Sequence, residues 1–496
     1  MGLYQIEQLH VEQDEVLEAA RRWVAEGAKD RKELHEAEKN IFRIMQNMGL
    51  LLLKEFLARS GNGQVVGALS LPEGGSLPFH GNNGCQYLSI FGRLEIERAY
   101  YWTEGAAGRY PLDATLNLPE RRYSYLLDQW AQAGVVEQSY DKVTGGLGEL
   151  LGLPIWKRGQ EQVAREAAGN VDPFYQALPT PEGEGPVLCV QADGKGVRMV
   201  PAEKPDEAQT SLAEPARRGK GQKPGQRREA VVTAAFSFTP QARSPEEMAC
   251  CLMRELTMEE RQAARKADQP REPLHKTVRA TLFGKERAFE ILMEELRRRD
   301  PGGLKPIFML VDGGSGLEDR FWETIRRLGW EHRVAGVCLD IVHVMEYVWE
   351  AGTALYGEKG AGRVPWVRKT ALALLRGEVG RVLGGMRQMV TKDGRRLKTS
   401  QKRALAKVIG YFENHRHKMR YDEWLAQGYP IATGVVEGSC GALVKDRTDG
   451  SGMRWTRVGA QAVLDLRSVK KNGHWNSFWD FHIARERERL YGKCSA

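Results

Sequence analysis

The chain has 496 residues, 42% hydrophobic and 28% charged, a balance that excludes wholesale disorder. Lys and Arg number 73 against 65 Asp and Glu, a net of +8, which points to a polyanionic partner only if the excess is concentrated. No apolar run reaches ~18 residues, no basic-then-apolar leader opens the chain, and the seven scattered cysteines include no Cys-x-x-Cys pair. These features predict a cytoplasmic, reducing setting without membrane spans, a disulfide framework or a zinc ribbon.

Residues 10–60 are predicted helical, because apolar positions such as Val16, Leu17, Ala20, Trp23 and Val24 recur at helical spacing and Pro is absent. The Gly-rich stretch Gly61–Gly84 breaks that pattern, and residues 86–102 alternate around Gly92 as two short strands. Tyr140–Leu151 and Trp156–Ala168 flank a Gly152-Leu153-Pro154 turn, the pattern of a helix-turn-helix. Its second helix carries Lys157, Arg158, Gln160, Gln162 and Arg165, which suit phosphates and base edges, although a plain helical hairpin with a solvated face has the same pattern.

A Pro/Gly/Glu-rich linker at 171–186 marks a domain boundary. Beyond it, Val187–Val190 and Val231–Phe238 read as strands, and 201–228 as a mobile, basic hairpin loop between them. Residues 245–300 read as mostly helical. Ile307–Val311 and Val334–Leu339 are buried-strand runs with the amphipathic helix Leu317–Leu328 between them, and 343–428 are helical with a break near Asp393-Gly394. The expected organisation is an N-terminal helical region (1–80), a small β element with the helix-turn-helix (81–182), the first part of an α/β core (183–345), a basic helical insertion (346–430) and the end of the core (431–496).

Two acidic residues close apolar strands and precede glycine: Asp193 and Asp312. Strand ends of open α/β sheets line the ligand crevice, and a following glycine lets a ligand approach the backbone; each Asp-Gly is equally the signature of a turn. Glu437, in Gly-Val-Val-Glu-Gly-Ser, supplies a third carboxylate from a separate segment. Three such carboxylates match the oxygen-donor preference of two magnesium or manganese ions, which stabilise the attacking and leaving oxygens of a phosphoryl displacement.

The strings Val-Gln-Ala-Asp-Gly-Lys-Gly (190–196), Leu-Val-Asp-Gly (310–313), Cys-Leu-Asp-Ile-Val-His-Val-Met-Glu-Tyr (338–347) and Gly-Val-Val-Glu-Gly-Ser-Cys (434–440) resemble those of bacterial insertion-sequence transposases of the ISKra-four type. Tyr110-Pro111-Leu112-Asp113 and Ser451-Gly452-Met453-Arg454-Trp455 extend the resemblance, which covers about residues 85–480. It implies a ribonuclease-H-like core with a catalytic Asp193–Asp312–Glu437 triad binding two Mg2+ or Mn2+ ions, interrupted by an insertion before the Glu-bearing helix. Asp340-x-x-His343 matches a signature that places His343 near the scissile phosphate; a half-buried structural histidine is the alternative. The implied activity is transposition: cleavage of DNA at element ends and strand transfer into target DNA by a homodimer or larger assembly. The alternatives are a nuclease that cuts without joining and a silent DNA-binding derivative. One departure is that Tyr100-Tyr101 leads into Trp102-Thr103-Glu104-Gly105, without the Cys-x-x-Cys that relatives often carry there.

The positive charge is concentrated. Residues 361–420 hold sixteen Lys or Arg and three acids, a net of +13, leaving −5 for the rest. Arg395, Arg396 and Lys398 in that block, with Lys445, Arg447, Arg454 and Trp455 near the end, are the expected DNA contacts beside Lys157, Arg158 and Arg165.

Overall fold

The computed structural model describes residues 4–492 except 73, 201–226, 254–272, 315, 392–396 and 451. It divides into two compact units, one built from residues 1–174 and 474–496 and the other from 175–473. Among the described residues no helix is long and apolar enough to cross a membrane.

In the first unit the expected N-terminal helical region is two helices, α1 (Ile6–Lys29) and α2 (Leu34–Ser60). The break falls at a charged, apolar-free step where Arg31 takes a left-handed φ of 54°. Phe79–Ser89 (β1) and Gly92–Tyr101 (β2) pair antiparallel up to Ser89↔Gly92. The first strand begins earlier than its alternation suggests, because its opening residues Phe79–Gly84 are largely exposed and carry no apolar period. Tyr140–Leu151 (α3) and Lys157–Ala168 (α4) form as expected, and Gly152 ends α3 at a left-handed φ of 67°. The supposed linker at 171–186 contains a short helix, Val171–Ala177. The C-terminal helix Trp475–Tyr491 belongs to this unit, where Phe478 packs edge-on against Phe174 with ring centroids 5.5 Å apart.

The second unit is mixed α/β around a five-stranded sheet. Its strands are β3 (Val187–Arg198), β4 (Arg227–Phe238), β5 (Leu274–Thr281), β6 (Ile307–Val311) and β7 (Val334–Leu339), in the spatial order β5-β4-β3-β6-β7. β4 alone runs against the others: β3 and β5 pair with it antiparallel, while β6 is parallel to both β3 and β7. β6 has a parallel neighbour on each side and all five of its residues are buried, hence its unbroken apolar run.

Strand β5 interrupts the range 245–300 that is expected to be mostly helical. Its sequence hides it, because charged residues interrupt the apolar pattern. Arg279 is 6% exposed in the strand, lies 3.6 Å from Asp465 and stacks on Tyr175. That burial is tolerable only because the charge has partners. The loop called for over 201–228 lies outside the described residues up to 226; Arg227 and Arg228 begin β4.

Helix α5 (Lys285–Arg299) follows β5. Helix α6 (Leu317–Leu328) buries Leu317, Phe321, Thr324 and Ile325 on one face. Acids in its first turn and Arg326 and Arg327 in its last complement the helix dipole. Between β7 and the last part of the core lie α7 (Ile341–Tyr356), α8 (Arg363–Leu375), α9 (Val379–Thr391) and α10 (Thr399–His415). Their buried Val348, Ala351, Val367, Leu374, Leu383, Leu405, Val408 and Phe412 are continuous with the core under the sheet. The helical insertion is therefore anchored on that core rather than loosely tethered. The unit ends with α11 (Gly434–Ser439), which passes into a π-helical turn over Cys440–Lys445, and α12 (Arg457–Lys471).

Candidate active site

Strand register places two aspartates at the same end of the β3–β6 pair. β3 and β6 pair in parallel from Leu188↔Ile307 to Gln191↔Leu310. Asp193 and Asp312 each lie two residues beyond that last pair, on strands ~4.8 Å apart. Asp193 is not the terminal residue of its strand, as its Asp-Gly suggested, because β3 continues alongside β4 to Arg198. What ends there is the pairing with β6, so the carboxylate stands where the sheet opens.

Each aspartate is held by a local backbone donor. The Gly194 N–H donates to Asp193 Oδ1 at 2.6 Å, and the Gly314 N–H donates to Asp312 Oδ1 at 2.8 Å. Gly313 is required between them: its φ is 81°, and a Cβ there would lie 2.8 Å from the Tyr411 hydroxyl and 2.9 Å from Leu339. Tyr411 on α10 donates to the Asp312 carbonyl at 2.8 Å. It stacks on Tyr347 of α7 with centroids 3.9 Å apart. The insertion helices thereby fix the Asp312 turn.

Glu437 lies on α11 and is exposed. The helix is tied to the strand of Asp193 by Gln191, a fully buried amide whose Oε1 accepts from the Val436 N–H at 2.8 Å. One turn past Glu437, the Cys440 thiol donates to Asp193; burial, reinforced by that carboxylate, pushes the thiol well above its ordinary range.

Asp340 is fully buried and joins three elements. Its Oδ1 caps α7 through the Val342 N–H at 2.9 Å and accepts from the Thr433 N–H at 3.3 Å. Its Oδ2 accepts from the Thr433 hydroxyl and meets His343 Nδ1 at 2.8 Å. Its own N–H donates to the Val311 carbonyl at 2.7 Å, beside Asp312. These bonds to His343 and Thr433 outweigh burial and hold the carboxyl below the usual carboxylate range. The hydrogen bond to Asp340 raises His343 to about 9, against the opposing effect of desolvation. His343 shares a cleft of about 420 Å³ with Asp312, Glu346, Tyr347, Lys407 and Tyr411. A second hollow of about 250 Å³ on the other side of the Asp312 turn is lined by His415, Lys418 and Glu318, the last two paired at 2.5 Å.

The oxygen donors at this edge suit a hard divalent cation. Among the described residues, however, no group of three His, Cys, Asp or Glu is gathered closely enough to hold a metal ion. Asp193 and Asp312 both follow the end of the β3–β6 pairing, while Glu437 lies on a separate helix tied to β3 through Gln191.

The expected DNA contacts divide. Arg158, Arg165, Lys398, Lys445 and Arg454 are exposed, as is Lys157, which pairs with Asp141 at 3.0 Å. Gln160 is fully buried: its side chain donates to Asp128 and accepts from Gln132, so it cannot read a base edge. Arg447 is 2% exposed, lies over the Trp455 ring at 4.7 Å and donates to the Met453 sulfur. It packs under the surface, which removes it from the phosphate contacts. Trp455 packs against Val197 and its neighbours and exchanges backbone hydrogen bonds with Arg198 and Val200. Arg395 and Arg396 lie outside the described residues.

Gln191, Thr433, Tyr411 and Cys440 were not among the expected site residues. For Gln191 one signal was present, a lone amide inside the apolar run Val-Leu-Cys-Val-Gln-Ala. Comparison with known protein families and with curated protein sequences returns no match for this chain.

Proposed function

We propose that the chain is a DDE transposase that cuts DNA at insertion-sequence ends and joins the freed 3′ end to target DNA. The observation that carries this reading is that Asp193 and Asp312 each follow the last β3–β6 register pair by two residues, with the Glu437 helix hydrogen-bonded to the strand of Asp193 through Gln191. The sheet order, three successive antiparallel strands followed by two parallel ones on the other side of β3, supports a ribonuclease-H-like core. Asp193, Asp312 and Glu437 would hold Mg2+ or Mn2+, which when bound supplies charge neutralisation on the phosphodiester and an activated oxygen nucleophile.

The chain's own residues have defined tasks in this reading. The Gly194 and Gly314 amides orient one oxygen of each aspartate, and the Cys440 thiol adds a donor at Asp193. Asp340 keeps His343 protonated at neutral pH, so a cationic donor faces the cleft that Asp312 lines, suited to a phosphate oxygen. Exposed Lys369, Lys398, Lys402 and Arg403 on the insertion, and Arg158 and Arg165 on α4, supply sequence-independent backbone contacts.

The test is incubation of the full chain with a labelled element end and target DNA in Mg2+ or Mn2+. Joined products are the expected result; cut products alone indicate a nuclease, and binding without either indicates a silent derivative. Asp312→Asn is expected to lower cleavage by at least about 10³-fold, as for removal of an essential charge-stabilising group, with DNA affinity within about twofold. Retained cleavage in that variant overturns the assignment.

A further inference from the structure

Helix α2 carries an apolar seam that the other described residues leave uncovered. Leu34, Ile41, Met45, Leu52 and Phe56 are 76%, 43%, 60%, 52% and 56% exposed. At about 100° per residue these five fall within about 60° of one another on the helix, along about 33 Å of its length. Scattered exposed apolar residues need no explanation; five large ones in a single line mark a contact surface.

The seam is also self-complementary. Glu38 and Arg59 lie on the same face, toward opposite ends, and both are exposed, Arg59 also pairing with Glu55 one turn back at 2.6 Å. Stepping inward from Glu38 by three and then four residues gives Ile41 and Met45. Stepping inward from Arg59 by the same intervals gives Phe56 and Leu52, with Met48 near the centre. A two-fold antiparallel pairing of two α2 helices therefore sets Glu38 against Arg59, Ile41 against Phe56 and Met45 against Leu52, twice over. In a parallel pairing each charge would meet its like. An isologous contact needs a self-complementary surface, and this arrangement supplies one.

We infer that α2 is the self-association surface of this protein, joining two copies antiparallel about an axis near Met48. The inference does not rest on the transposase reading, and its test does not use DNA. Sedimentation equilibrium of the full chain is expected to show a dimer. Combining Met45→Glu with Leu52→Glu is expected to raise its dissociation constant at least about tenfold, without loss of helical circular dichroism because both sites are exposed. Mixing an Ile41→Cys chain with a Phe56→Cys chain under mild oxidation is expected to give a disulfide-linked heterodimer. Its yield should exceed that from either variant alone or from the unsubstituted chain. A monomer up to high micromolar concentration overturns the inference, as does a dimer that survives the paired glutamates or fails to cross-link 41 to 56.

Discussion

Asp340 illustrates how one buried carboxylate organises this site. It spends both oxygens on groups from α7 and from the segment before α11, and its backbone on β6. Its effect on stability is visible through His343, whose folded value of about 9 lies above the ordinary 6.5. A raised histidine stabilises fully below its unfolded value, so this contribution is intact below pH ~6.5 and is lost as pH climbs through about 9. The shift sets an upper bound of about 3.5 kcal/mol at ~1.4 kcal/mol per unit. With the ring one-third exposed, solvent screening reduces that to about 1–2 kcal/mol. Urea unfolding should therefore show that much loss between pH 6 and pH 10 in the wild type, and a flatter profile over the same range in His343→Gln. Equal pH dependence in the two chains would contradict the Asp340–His343 pairing.

At the scale of elements, the core strands and the helix Leu317–Leu328 are legible in the sequence because each carries its own period and its own stops. Asp193 and Asp312 stand out in the sequence as charges that follow an apolar run, a pattern that a plain turn shares. The ties that make a site of them are not legible, since they join residues far apart in the chain: Gln191 to Val436, Asp340 to Thr433, Tyr411 to Asp312. Nor is β5, whose buried Arg279 disguises a strand as polar helix. The contact of α10 with the Asp312 turn allows a direct test. Gly313→Ala introduces a β-carbon 2.8 Å from the Tyr411 hydroxyl at a φ of 81°. Strain and displacement together are expected to cost about 2–3 kcal/mol and to lower cleavage by shifting Asp312. Gly314→Ala is the control, because there a β-carbon meets only the Asp312 carboxylate, at 3.6 Å. A Gly313→Ala chain as stable and active as the control would show that α10 does not constrain the turn.

For the whole molecule, the charge asymmetry in the sequence is moderated by the fold. Acids from outside 361–420 reach into the basic block: Glu246 to Arg376, Glu350 to Lys407, Glu318 to Lys418 and Glu423 to Arg420. Within the block, Glu378 pairs with Arg381 and Glu413 with Arg387. The +13 therefore overstates the free charge of the block, and the proposed DNA contact is best tested at the exposed Lys369, Lys402 and Arg403. Each phosphate neutralised contributes about −0.9 to the slope of log affinity against log salt. Replacing these three with Gln should make the slope shallower by about 2–3 and weaken binding similarly across sequences. Reversing Arg376 and Glu246, an exposed pair worth at most about 1 kcal/mol, should leave the slope within about one unit of wild type. If the triple variant keeps the wild-type slope, the basic insertion does not face DNA, and phosphate contacts must be sought on α4 instead.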